Sequence, residues 1–446
     1  DKGTESSSDV SVEGSPSFDL NCYHFGGPLN QSMQYWNHPT QHDLSYKSHH
    51  WNDDGETTNL FLTFNPGHEG WNNARLYFEN ILVIAHATGR TLVLPPKNEI
   101  NHLKGIHSFE DFFDINAINA NQEGLNIISM QEFLHMEKFA VKFNEAGCTP
   151  DDCADLYLHL ESIGSRPHWN TDPPECALFI PSGDGFIVKE NSTDGPICTY
   201  NATDSGEVLH LSTRILSPFY SFVLFENEFQ GRFAKRLIRD FLHYKEEIIC
   251  ASARIINAIE EFALTIRASN HEFYSMHIRR GDFARQYPEG DVSAEDLIMQ
   301  IEADGILAEN SLVYIATDEH DKSFFHPFQE KYHVLFLQDF SAQIEGIGDE
   351  YYPMLDQLVA SKSAMFYGTW PSTFSSYINR LRGYYSIKDS TTNTDGHIDS
   401  FYFSPDHKYA MMEYKATEEP SLSWMREYPE AWHLIDENDN DLGIMK

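Results

Sequence analysis

Between Leu60 and Leu94 the sequence sets out a short apolar run, Leu60-Phe-Leu-Thr-Phe64, a glycine-bearing turn, a stretch of helical period and a second apolar run, Thr91-Leu-Val-Leu94. Strand, turn, helix and strand in that order form the repeating unit of an open α/β sheet. Leu76, Ile81, Leu82, Ile84 and Ala85 carry the helical spacing over residues 72–88, and Gly89 is placed to stop it. The pattern returns in the second half. A strand runs into His277, a second covers Ser311–Ala316 and ends at Thr317-Asp318, and a third covers Val334–Leu337 and ends at Asp339. A helix over Leu355–Ser363 then leads to the strand Met365–Tyr367 and the turn Ser372-Thr373. Polar residues thus sit past the C-terminal ends of four predicted strands, where open α/β sheets bind their ligands.

The chemistry of those ends points to an anion. In Tyr274-Ser-Met-His-Ile-Arg-Arg-Gly-Asp-Phe283, His277 is followed by Arg279 and Arg280, then Gly281 and Asp282. A guanidinium grips phosphate oxygens in a bidentate fork, glycine permits a close turn, and Asp282 can orient an arginine or a ligand hydroxyl. Ser372 and Thr373 precede an amphipathic helix, whose first N–H groups and dipole favour an anion. Against 68 acidic residues stand 31 Lys and Arg, a formal charge of −37, which argues against nucleic acid or anionic lipid as a partner. Taken singly, an arginine here reads as half of a surface salt bridge. Arg279, Arg280 and Arg285, with Arg380 and Arg382 near the second motif, read together as a positive pocket for a small anionic ligand in an acidic shell.

At 446 residues and 41% hydrophobic content the chain can build two domains with real cores. No stretch approaches the ~20 apolar residues of a membrane helix, and a membrane anchor or signal is expected only in a segment preceding Asp1. Six cysteines, Cys22, Cys148, Cys153, Cys176, Cys198 and Cys250, are joined by sequons at Asn30, Asn191 and Asn201. No zinc spacing is present among the cysteines. Together these features point to the secretory-pathway lumen, endoplasmic reticulum or Golgi, with up to three disulfides of unassigned pairing. The chain divides into a disordered acidic stem over 1–20, an N-terminal Rossmann-like domain over 21–265 with cysteine-bearing insertions, a C-terminal domain over 266–386 and an extension over 387–446. Residues 21–55 are expected to pack irregularly, with His49-His50 at the surface. Residues 228–263 read as a strongly helical bridge between the domains, and the acidic tail Asp436–Asp441 as solvated.

Three segments, NPGHEGWNN at Asn65–Asn73, HIRRGDF at His277–Phe283 and MLDQLVASKSAMFYGTWPSTFSSYI at Met354–Ile378, resemble the ligand-contacting segments of GDP-fucose protein O-fucosyltransferases, in the family's order. The resemblance implies a GT-B architecture, two Rossmann-like domains facing each other across a cleft, with the nucleotide sugar on the C-terminal one and the acceptor on the N-terminal one. It implies that Arg279 contacts the diphosphate as the bond to fucose breaks, that His277, Arg280 and Asp282 line the same site, and that Asp356 meets the guanine edge. Ser372, Thr373 and Phe374 then hold phosphate and base, and Gly70, Trp71 and Asn72 form a nucleotide-contacting loop. Glu69 matches the general base of one branch of the family; because His68 intervenes in this loop, His68, Asp282 or no protein base stand as alternatives.

The implied enzyme is an inverting fucosyltransferase using GDP-fucose, with no metal or other cofactor, since no DxD motif lies near the site and arginines can carry the leaving charge. Its partners are GDP-fucose and a protein or glycan acceptor, first a Ser or Thr hydroxyl. A fucosyltransferase acting on glycans, a relative with another nucleotide sugar and a catalytically silent nucleotide-fold binding module are the other readings.

Overall fold

The first predicted unit forms β1 (Phe61–Phe64), α1 (Trp71–Ala87) and β2 (Thr91–Leu94) in a computed structural model. The structure describes residues 18–26, 31–52, 60–67, 69–136, 139, 156–171, 174–181, 196–266, 272–286, 291–305, 307–370, 372–389, 398–403, 427–432 and 435–436. Of the helix α1 all residues but Asn73 are buried, as expected for a helix enclosed on both sides. It stops where Thr88 turns its hydroxyl back to the Ile84 carbonyl at 2.6 Å and Gly89 takes φ +62. A Cβ at Gly89 would collide with the backbone of His50.

Two parallel sheets follow. The first has the order β3-β2-β1-β4, with β3 over Ile127–Ser129 and β4 over Val208–Leu211. The second, β7-β6-β5-β8-β9, contains β5 (Tyr274–Ile278), β6 (Leu312–Thr317), β7 (His333–Leu335), β8 (Phe366–Gly368) and β9 (Ser400–Tyr402). Between them lie α2 (Glu228–Phe241) and α3 (Glu246–Ile266), and α4 (Tyr352–Ser361) and α5 (Thr373–Asp389) belong to the second sheet's layer. Side chains alternate along β6. Leu312, Tyr314 and Ala316 join the core that also holds Leu62 and Phe64 of β1, whereas Val313 and Ile315 pack in the cluster on the outer face. One continuous core therefore joins the two α/β lobes.

Several expectations are corrected. The helical stretch over 228–263 breaks at 242–245, where the buried Tyr244 bridges to Phe113 and its hydroxyl is taken up by Trp71 and Gln357. The stem gives way before residue 20: Leu20 is buried and the Phe18 carbonyl accepts the Trp36 indole N–H at 2.7 Å; residues 1–17 lie outside the described residues. Of the stretch assigned as an extension, residues 398–403 and 427–432 belong to the fold, since β9 completes the second sheet and Trp432 is fully buried. Residues 97–210, expected as insertions and loops, also supply β3, β4 and two strands of a small parallel sheet over 197–199, 177–180 and 223–225. His50 is half-buried against Tyr200 with its ring nitrogen 3.1 Å from the Pro181 carbonyl. Asp436 is not free in solvent but pairs with the buried Arg239, and residues 437–441 lie outside the described residues.

Two of the arginines assigned to an anion pocket are structural. Arg380, with 0% exposure, is held by Glu79 of α1 and by Glu427, each 2% exposed; Arg382 is buried and donates to the carbonyls of Ser363, Ala364 and Asp399. Arg285 is exposed. Disulfides join Cys22 to Cys250 and Cys176 to Cys198, whereas Cys148 and Cys153 lie outside the described residues. No helix among the described residues is long and apolar enough to cross a membrane.

Removing one partner of a buried ion pair leaves an uncompensated charge, at a cost of about 3–5 kcal/mol. Arg380→Met should therefore destabilise the protein by about that amount in equilibrium urea unfolding, and Arg285→Ala by less than about 0.5 kcal/mol. Equal effects of the two would refute the structural assignment of Arg380.

Candidate active site

The strand ends of the second sheet open into a cavity of about 590 Å³ that the loop before α1 walls from the other side. Thr369, just past β8, uses one hydroxyl to fasten two loops: it donates to the His277 carbonyl at 2.8 Å and accepts the Arg279 N–H at 2.9 Å. Asp318, just past β6, accepts the Arg280 N–H at 2.7 Å and pairs with the Arg279 guanidinium. Gly281 stands at φ +50, and a Cβ there would lie 2.5 Å from the Asp318 carboxylate. The glycine is thus required twice, by its backbone and by its neighbour.

Arg279 is held at the cavity wall between Asp318 and Asp282, the latter at 2.6 Å. Arg280 takes another course. Its side chain pairs with Glu319 at 3.1 Å and Asp291 at 3.0 Å and lies over the Phe324 ring, away from the cavity lining. His277 is buried, with Nδ1 2.7 Å from the Ser375 hydroxyl and its ring stacked on Phe374 at 4.4 Å. Burial, and then the charge of Arg279, push its pKa down to about 3. It therefore faces the cavity as a neutral imidazole, a hydrogen-bonding wall and not a charge.

α5 begins at the cavity, and Ser372, Thr373 and Phe374 line it. The first N–H groups of a helix have no intrahelical acceptor, so this end offers donors and a positive dipole. Its position is fixed from the other lobe: the Thr373 hydroxyl donates to the Asn73 side-chain carbonyl at 2.5 Å. Asn72 extends the same join, its Oδ1 accepting from Gln357 at 2.9 Å and from Arg75 at 3.2 Å. Its Nδ2 is buried beside the cavity with no acceptor among the described residues. Trp71 is a core residue with one edge on the cavity, donating to the Tyr244 hydroxyl at 3.2 Å and packing on Phe112 at 4.0 Å.

Glu69 and Gly70 line the first lobe's side, and the Glu69 carboxylate is paired with Arg214 at 2.8 Å. His68 lies outside the described residues. At the far end of the cavity Asp356 accepts the Tyr314 hydroxyl at 2.5 Å. Burial pushes its pKa up to about 7, opposed by that hydrogen bond and by Lys322. Lys322 lies over the Phe336 ring at 4.5 Å, and both line the cavity. Among the described residues no group of three or more His, Cys, Asp or Glu side chains is placed to hold a metal ion.

The structure thus brings together Glu69, Gly70, Trp71, Asn72, His277, Arg279, Asp282, Asp356, Ser372, Thr373 and Phe374 around one cavity and leaves Arg280 outside it. Sequence reasoning missed Arg214, His102 and Lys322, which share that lining. Lys322 follows the Thr317-Asp318 strand end and was within reach of the strand-end rule; Arg214 and His102 carry no local signal.

Two parallel α/β lobes set the strand ends of one against a loop and helix start of the other across one cavity, a GT-B architecture. Residues 61–385 match the GDP-fucose protein O-fucosyltransferase family, and the chain belongs to it. It is accordingly a GDP-fucose-dependent fucosyltransferase. Solved structures similar to it include POFUT1 in complex with GDP, at 16% identity over 73% of this chain and 95% of that one with a TM-score of 0.35. Fucosyltransferase NodZ from Bradyrhizobium is similar at 14% identity over 72% and 92%, with a TM-score of 0.39. No curated protein sequence matches the chain.

Replacing a glycine of positive φ by alanine is strained, at about 1–3 kcal/mol. Gly281→Ala should lower stability by about that amount in urea unfolding, because Asp318 must also move. An unchanged midpoint would show that the turn is not fixed as described.

Proposed function

We propose that this enzyme transfers fucose from GDP-fucose to a hydroxyl of a protein, first a Ser or Thr, with inversion at the anomeric carbon and without a metal ion. The observation that supports it best is that Arg279 and the α5 N-terminus, from the second lobe, share one cavity with Glu69 of the first lobe. Departure of GDP places charge on the diphosphate, and a preorganised guanidinium with helix N–H groups stabilises it where it develops. Attack from the first lobe's side, with Glu69 accepting the hydroxyl proton, gives inversion. Arg214 orients that carboxylate by the ion pair at 2.8 Å. The secretory-pathway lumen is supported by the disulfides and by the exposed sequon at Asn201.

Calorimetric titration in EDTA with GDP, GDP-fucose, GDP-mannose and UDP-glucose tests the donor and the metal together. Selective binding of the guanine ligands, and transfer to a Ser- or Thr-bearing acceptor, are expected without divalent ions. Arg279→Ala should lower kcat by about 10²–10³-fold, and Arg279→Lys less. Binding that needs a metal, or binding of GDP-fucose with no transfer to any acceptor, would overturn the proposal; transfer to glycans alone would move the acceptor assignment.

Asp356 gives a pH test. The guanine edge presents N1–H and N2–H donors, which an ionised carboxylate accepts, whereas burial favours the protonated acid up to about pH 7. The ligand therefore binds the form that gains population as pH rises. GDP affinity should increase about tenfold from about pH 6 to about pH 8 and level off above. Asp356→Asn should bind more weakly and lose that portion of the pH dependence; an identical profile in wild type and variant would remove Asp356 from the base subsite.

A further inference from the structure

A hairpin of the first lobe crosses the cavity mouth. Its paired strands are residues 98–99 and 106–107, and its turn is fixed on both sides of the cleft. On the first lobe, the Asn101 N–H donates to the Glu69 carbonyl at 3.2 Å and Asn101 bridges to Gly70. On the second, Lys104 pairs with Asp349. Within the turn His102 stands at φ +69, a conformation that few residues other than glycine adopt. Strain of this kind persists where the surroundings hold it in place, and here it delivers the imidazole across the cleft. His102 Nε2 reaches to 3.4 Å from the Arg279 guanidinium and 3.7 Å from the Asp282 carboxylate.

We propose that His102 is a donor-binding residue, which the first lobe contributes to the diphosphate subsite facing Arg279. The arrangement of the side chains supports it. Asp282 puts one carboxylate oxygen 2.6 Å from Arg279 and the other 3.7 Å from His102, so an anion already spans the two groups. A phosphate offers more oxygens than a carboxylate and accepts from both, with His102 presenting Nε2–H and Arg279 its remaining N–H groups. The side chain is 53% exposed and lines the cavity, so a ligand can reach it. Because the contact comes from the opposite lobe, bound diphosphate is gripped from both sides. The inference rests on the preceding reading that Arg279 meets the diphosphate.

The test compares GDP with guanosine, which lacks the phosphates, on the full chain. His102→Asn suits the backbone, since Asn tolerates positive φ, but falls short of Arg279; His102→Gln is longer and keeps an N–H donor. Loss of a hydrogen bond to a charged group predicts about ten- to hundredfold weaker GDP binding in His102→Asn, unchanged guanosine binding, and partial recovery in His102→Gln. GDP affinity equal to wild type in His102→Asn would overturn this inference alone. Parallel loss of GDP and guanosine would also overturn it, by showing that the histidine shapes the hairpin and not the phosphate subsite. Failure of the wild type to bind GDP at all would bring down the preceding reading and this one with it.

Discussion

The carboxylate of Glu79 is the point on which the two lobes turn. Buried on α1, it pairs with Arg75 of its own helix and with Arg380 of α5, which in turn holds Glu427 from the C-terminal segment. α1 and α5 both begin at the cavity, at Trp71 and Thr373. From Asn73 to Glu79 and from Thr373 to Arg380 the rise is roughly 9 and 10.5 Å, so the hydrogen bond at the cavity and the ion pair below it are two rungs between helices running side by side. Such a pair is weak evidence for net stability. Its consequence is positional: it fixes the α5 N-terminus against the loop that carries Glu69.

A second constraint acts on Arg279. In a chain of formal charge −37, a guanidinium in a cleft is drawn to carboxylates, and Asp318 and Asp282 both engage it. The pairing keeps the arginine in place before a ligand arrives, which is the preorganisation that charge stabilisation needs. The backbone beneath it is held by Thr369 and Asp318, and by the absence of a side chain at Gly281. Side chain and loop are thus set by the neighbouring strand ends of one sheet.

Much of this was legible. The β1-α1-β2 unit and the strands β5, β6 and β8 carry apolar runs and stops strong enough to be placed within a residue or two. The motifs around Asn65, His277 and Ser372 carried the family, which the match over residues 61–385 establishes. The arginines show where such reading fails. Arg380 and Arg382 stand near a ligand motif, yet helical geometry turns them inward, whereas Arg279 two residues past His277 reaches the cavity. The break at 242–245 was hidden because the apolar period continues through it, and what decides it is Tyr244, drawn into a contact with Trp71 and Gln357.

By itself the sequence determined the parallel α/β class, the polar strand ends and the chemistry of the donor motifs, because period, turn residues and local motifs are properties of neighbouring residues. It also determined the formal net charge of −37. Tertiary structure alone decided which charges meet: Glu79 with Arg380, Glu69 with Arg214, and Asp436 with Arg239. These partners are separated by more than a hundred residues in each case, and an electrostatic pair depends on distance in space, which the closing of the two lobes on one core sets and no local pattern encodes.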